Sequence, residues 1–158
     1  MKHKLIIGRS DVADFPGLGL AGIPVKVDTG AYTSSIHCSA ISVDESGDAP
    51  VLRFTLLDDS HDAYHGRQLH TAEFSEKLVK NSFGTSEQRY VVKTSIALFG
   101  KRYRISLSLS ERGEMRFPVL LGRKFLKNKF LVDPAATDLS RAATEGPTVS
   151  GTLTDPPA

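Results

Sequence analysis

The apolar positions along the chain fall mostly at a spacing of two. Tyr103, Ile105, Leu107 and Leu109 alternate with polar residues and predict a strand with one buried face. "VLRFTLL" at 51–57 alternates in the same way, and residues 35–43 form another candidate strand. Lys4–Ile7 is short and apolar, and "LAGIPVKV" at 20–27 reads as a strand whose Pro24 marks an edge or a strand start. Residues 76–98 predict a hairpin, with "KLVK" and "RYVVKTSIAL" flanking the turn-rich "NSFGTSEQ". "PVLLG" is apolar without alternation, so that strand is expected to be buried on both sides. "RKFLKN" after it has room for one or two helical turns, and "FLVD" is a last strand. Residues 9–19, "ESGDAP" and the polar stretch 58–67 read as loops.

This pattern predicts an all-β domain over residues 1–133, with one short helix near its C-terminal end. From Pro134 to residue 158 the chain is rich in Ala, Thr, Ser, Pro and Gly, and is expected to be a flexible tail. Length agrees with one domain: 158 residues, 40% hydrophobic and 24% charged. The net charge of +2 is too balanced to argue for nucleic acid. Cys38 is the sole cysteine, which rules out an intrachain disulfide and a multi-cysteine zinc site. Met1 to Gly8 is too short and too charged for a signal peptide, and no apolar run reaches membrane-spanning length. A cytoplasmic setting without membrane partners is the expectation.

The sharpest local signal is "VKVDTGAYTSS", residues 25–35. Asp28, Thr29 and Gly30 end an apolar strand. An ordinary turn explains such a triplet, and so does an active-site loop. The apolar strand puts the carboxylate near a core, and Gly30 permits close backbone approach. A second apolar strand ending in glycine, "PVLLGR", lies far downstream, with a glycine-bearing hairpin between.

"VDTGA", the hairpin around Phe83 and Gly84, and "VLLGR" followed by a short helix together resemble a retropepsin, the single-lobed aspartic peptidase. The stretch between Asp28 and the hairpin is longer than in retropepsins, with the extra residues around 44–75. A closer resemblance covers most of residues 5–133. "FPGLGLAGIPVKVDTGAYTSSIHC", "EQRYVVKTSIAL" and "MRFPVLLGRKFLKNKFLVDP" are similar to bacterial proteins labelled ATP-dependent zinc proteases. Those are often associated with RimK-type ATP-grasp ligases, which add glutamates to a ribosomal protein.

The resemblance implies a small closed barrel of retropepsin type and a peptidase with no required cofactor. Asp28, Thr29 and Gly30 would be catalytic. Leu121 and Gly122 would support the loop from beneath. Ala31, Phe83, Gly84, Arg89 and Arg123 would meet the peptide substrate, with Phe83 and Gly84 at a flap tip. Aspartic peptidases need two carboxyls that titrate apart. One copy of the triplet therefore implies a homodimer. Viral retropepsins usually place acids just after Asp-Thr-Gly-Ala, where this chain has Tyr32, Thr33 and Ser34. Arg123 thereby loses its expected partner, and with Lys26, Lys80 and Arg89 it suggests a basic groove for acidic or glutamylated peptides.

The zinc label implies a different chemistry. No His-Glu-x-x-His occurs, but His61, His65 and His70 could supply ligands to a zinc-dependent hydrolase. His37 and Cys38, adjacent on a strand, point to opposite faces and do not readily share a metal. No glycine-rich phosphate loop with lysine is present, so ATP dependence would come from a partner. A third possibility is a non-catalytic binding module that partners an ATP-grasp ligase.

Overall fold

The computed structural model describes residues 3–80, 84–111 and 116–145. The strands are β1 (Leu5–Ile7), β2 (Ser10–Phe15), β3 (Leu20–Val27), β4 (Ser34–Asp44), β5 (Val51–Leu56), β6 (Gln68–Thr71), β7 (Ser75–Lys80), β8 (Ser86–Leu98), β9 (Lys101–Ser110), β10 (Val119–Leu121) and β11 (Phe130–Val132). Two short helices are α1 (Arg123–Leu126) and α2 (Leu139–Glu145). No helix among the described residues is long and apolar enough to cross a membrane.

Strands β10, β3, β2, β8, β9 and β4 pair in that order, and β10 also pairs with β4. The sheet thus closes on itself as a six-stranded barrel. Closure satisfies backbone groups that an open edge would leave bare. Inside it, β3 contributes Leu20, Ile23, Val25 and Val27, while β9 contributes Ile105, Leu107 and Leu109. The alternation in these stretches follows from the pleat, which sends successive side chains to opposite faces. β10 is paired along both edges, as its unbroken apolar run requires. β10 joins β3 only from Val25 onward, so at Pro24 the strand has β2 as its partner on one side alone.

Two extensions project from the barrel. β4 changes partners part-way: Ser34–His37 lie beside β9, whereas Cys38–Asp44 pair with β5, which in turn carries β6. These strands account for much of the extra stretch around 44–75. The second extension is the expected hairpin, β7 against the first part of β8, with Lys77 opposite Arg89 and Lys80 opposite Ser86.

Two expectations are corrected. Residues 9–19 are not all loop: Ser10–Phe15 form β2, between β3 and β8 in the barrel. Two aspartates hid this strand. Asp11 is buried, with its carboxylate spent on backbone N–H groups of α2, while Asp14 is exposed and accepts from the Gly22 N–H. The stretch from Pro134, expected as tail from its first residue, begins with packed structure, and a second helix joins the one expected. Arg9 N–H donates to the Ala136 carbonyl at 2.8 Å. The Ser140 hydroxyl, in α2, accepts the Phe99 N–H at 2.8 Å. Small and hydroxyl residues suit this docking because it relies on hydrogen bonds to a buried aspartate, not on apolar area.

Candidate active site

The Asp28 loop grows out of the barrel wall. β3 and β10 run parallel, with Val25 beside Val119 and Val27 beside Leu121. Asp28 N–H continues that pairing into the loop by donating to the Leu121 carbonyl at 2.9 Å. The chain then turns tightly. Ala31 N–H donates to the Asp28 carbonyl at 3.2 Å, and the Asp28 Oδ1 accepts the Gly30 N–H at 3.0 Å. One carboxylate oxygen thus fixes the turn while the side chain stays partly exposed. Thr29 and Gly30 are exposed.

Leu121, Gly122 and Arg123 lie beneath the loop. Arg123 N–H donates to the Ala31 carbonyl at 2.8 Å and Lys124 N–H to the Tyr32 carbonyl at 2.9 Å. Gly122 N–H donates to the Ser34 hydroxyl at 2.9 Å. A side chain at Gly122 would meet loop backbone: a Cβ there would lie 2.6 Å from the Tyr32 carbonyl oxygen. The "LLGR" stretch is thus held against the Asp28 loop by backbone hydrogen bonds and close backbone contact. Phe125 anchors it by packing edge-on to Tyr103, with ring centroids 5.9 Å apart.

Around the loop the charges are positive. Arg123 Nη1 donates to the Thr29 carbonyl at 2.9 Å, so the guanidinium left without an acidic neighbour has found a backbone acceptor. Its head also lies 5.8 Å from the ring centroid of the exposed Tyr32. Lys77 of β7 lies 5.4 Å from the same ring and donates to the Thr33 hydroxyl at 2.6 Å. The projecting hairpin is thereby tied to the loop. Arg89 stands directly across from Lys77, on the same face, and pairs with Glu87 at 3.4 Å. Lys26 is exposed on β3. Gly84, near the hairpin tip, has φ +82, a conformation that favours glycine. Phe83 lies outside the described residues, as does the Lys80 side chain.

Sequence reasoning overlooked Tyr32 as a cation platform, Lys77 as the tie to the hairpin, and Ser34 as the acceptor under the floor. Lys77 was accessible in principle: centring the hairpin on Phe83 places it opposite Arg89. Ser34 was not, because its role depends on β4 meeting β10.

The histidines do not converge. His37 is buried, with Nε2 2.8 Å from Asp58 Oδ2, and its ring centroid is 6.4 Å from that of His61. The Ser60 hydroxyl and N–H, and then His37, hold the Asp58 carboxyl down at about 2. His65 Nδ1 accepts the Arg67 N–H at 3.1 Å, and His70 is exposed on β6. Cys38 is buried in the core, which pushes its thiol up to about 12. Among the described residues no group of three or more His, Cys, Asp or Glu side chains is placed to hold a metal ion.

The chain is similar to several known proteins. Residues 6–142 match the RimB-like family, described as retropepsin-like aspartic endopeptidase RimB. A probable alpha-L-glutamate ligase of Shewanella pealeana is 36% identical over 137 residues, covering 84% of this chain and 29% of the relative. One of the same description from Desulfotalea psychrophila is 35% identical over 132 residues, covering 84% and 28%. The chain thus spans under a third of the length of these relatives. A crystal structure of a Legionella pneumophila protein of unknown function (DUF785) aligns with TM-score 0.68 and 29% identity, covering 87% of this chain and 99% of that one. A closed barrel, an Asp-Thr-Gly loop on an apolar glycine-ended floor, and a match over residues 6–142 together place this chain in the RimB-like family of retropepsin-like proteins.

Proposed function

We propose that the protein is a homodimeric peptidase of the aspartic type, in which Asp28 of two copies meets across a two-fold axis. Two carboxyls a few ångströms apart cannot both ionise. One then takes a proton from water while the other, still protonated, donates to the substrate carbonyl. The Thr29 hydroxyl has no hydrogen bond within the described residues and is left for the second loop. The observation that carries this reading is the position of Asp28. It sits on an exposed loop with a rigid floor, and the sequence holds no second Asp-Thr-Gly. On this reading the second carboxyl comes from another copy of the same loop.

Lys77, Arg89 and Arg123 favour acidic peptides, glutamylated ones among them. The relatives described as glutamate ligases support a glutamate-bearing substrate. They also favour a second reading. The matched segment lies within much longer ligase chains, so the domain could instead dock a ligase of the ATP-grasp kind without turnover.

The test compares wild type with Asp28→Asn on glutamate-rich and neutral peptides. Cleavage should favour the glutamate-rich peptide. The variant should lose on the order of 10³-fold or more in rate while remaining folded and dimeric. Equal turnover of both peptides would remove the acidic preference. Activity that survives Asp28→Asn but not chelation would point to a zinc hydrolase. Ligase binding with no cleavage of any peptide would favour the docking module.

A further inference from the structure

Behind the Asp28 loop lies a cavity of about 310 Å³ whose polar lining is wholly cationic or hydroxylic. It is bordered by Lys93, Arg104, Lys124, Lys129, Ser34 and Ser106, with no carboxylate among them. Ile105 and Phe125 form its apolar part. The arrangement follows from the barrel. Lys93 pairs across the ladder with Ser106, and Arg104 lies two residues along on the same face. Lys124 comes from α1, and Lys129 from the turn after it.

Lys93, Arg104 and Lys124 form no ion pair among the described residues. Lys129 is held by the Phe125 carbonyl at 3.0 Å. The buried Ser34 hydroxyl accepts the Gly122 N–H at 2.9 Å, and its own O–H has no acceptor among the described residues. Four like charges around one small space repel each other, and a bound anion relieves that repulsion.

We propose that this cavity is a binding site for a phosphate-bearing small molecule, separate from the Asp28 site. A phosphoryl group carries up to two negative charges and three acceptor oxygens. Those match three cations without an ion pair among the described residues, and a spare hydroxyl, better than a single carboxylate does. The arginine offers a forked donor set, and the lysines offer point charges. The volume falls at the lower end of small-ligand pockets, about 300–1,000 Å³. Because Ser34 and the Lys124 backbone also hold the Asp28 loop, a ligand here would bear on the loop's floor. The proposal does not depend on peptidase activity.

The experiment is calorimetric titration of the full chain with pyrophosphate, inorganic phosphate and glutarate at low salt. Pyrophosphate should bind saturably, at least about tenfold tighter than glutarate, and weaken as salt rises. The double substitution Lys93→Ala, Arg104→Ala should weaken it by about tenfold or more. Lys124→Ala should weaken it too, whereas Lys101→Ala, at the start of β9 and outside the cavity lining, should change it less than about twofold. Absence of saturable binding would overturn the proposal. So would equal or tighter binding of glutarate, or equal weakening by Lys101→Ala. Urea midpoints of the variants, all at exposed positions, establish that each is folded.

Discussion

Replacing Gly122 by alanine puts a methyl group where loop backbone already stands. Gly122 has φ −93 and ψ 177, an extended conformation open to any residue, so backbone strain plays no part. The cost is steric. The added Cβ would lie 2.6 Å from the Tyr32 carbonyl oxygen, 2.9 Å from that of Ala31 and 2.9 Å from the Thr33 carbonyl carbon. All three are backbone atoms, so no side chain can swing aside. Overpacking of this kind costs about 1–3 kcal/mol. Moving the loop away also stretches the hydrogen bonds from Arg123 and Lys124 to those two carbonyls, each worth about 1 kcal/mol net. The expected loss is therefore about 2–4 kcal/mol. With a urea slope of about 2 kcal/mol per molar, the midpoint should fall by about 1–2 M. If Asp28 shifts by even an ångström, peptide cleavage should drop on the order of 10²-fold. Gly47→Ala is the control: its Cβ would meet only the Ala49 carbonyl oxygen, at 4.0 Å, and should change stability by less than about 0.5 kcal/mol. If Gly122→Ala unfolds at the same urea concentration as Gly47→Ala, the floor does not hold the loop in the way described.

Three further outcomes are expected. Asp11→Ala strips buried acceptors from the Ser140 and Arg141 N–H groups and should cost about 2–4 kcal/mol in urea unfolding; a loss under about 0.5 kcal/mol would mean that α2 does not depend on this cap. Asp58 has a folded value near 2, below its ordinary 3.8, so its stabilising effect is present above pH 4 and fades as pH falls toward 2. Asp58→Asn should thus lower the urea midpoint at pH 7 and converge with wild type near pH 2, and a constant gap across that range would contradict the assignment. Cys38, buried and raised to about 12, should react with iodoacetamide only as fast as the domain opens; rapid labelling of the native protein would be incompatible with its place in the core.

Much of the barrel was legible because its strands alternate, as β3 does from Ile23 to Val27 and β9 from Tyr103 to Leu109. The site's frame was legible because "VDTGA" and "VLLGR" each end an apolar strand near a glycine; at Gly122 that glycine lies against loop backbone, whereas a Cβ at Gly30 would meet the Asp28 carboxylate at 3.3 Å and no backbone. What escaped was polar residues used structurally. Asp11 made β2 look like loop, although its carboxylate caps a helix 129 positions further along. Ser140 and its small neighbours made α2 look like tail. Periodicity registers apolar burial, and it is blind to a buried carboxylate satisfied by N–H groups distant in sequence. The basic groove named from the sequence includes Lys80 and Lys26 and leaves out Lys77, which reaches the loop through the Thr33 hydroxyl. That choice depends on the hairpin register, which a composition argument does not supply.

The central claim, that two Asp28 carboxyls act together across a dimer, is tested most directly by subunit mixing. Wild-type and Asp28→Asn chains would be exchanged in varying ratio at constant total protein, and cleavage of a glutamate-rich peptide followed. If both carboxyls are required, only wild-type pairs are active, and an equal mixture retains about one quarter of full activity. Activity falling in proportion to the wild-type fraction, to about one half in the equal mixture, would show that a single Asp28 suffices and contradict the account.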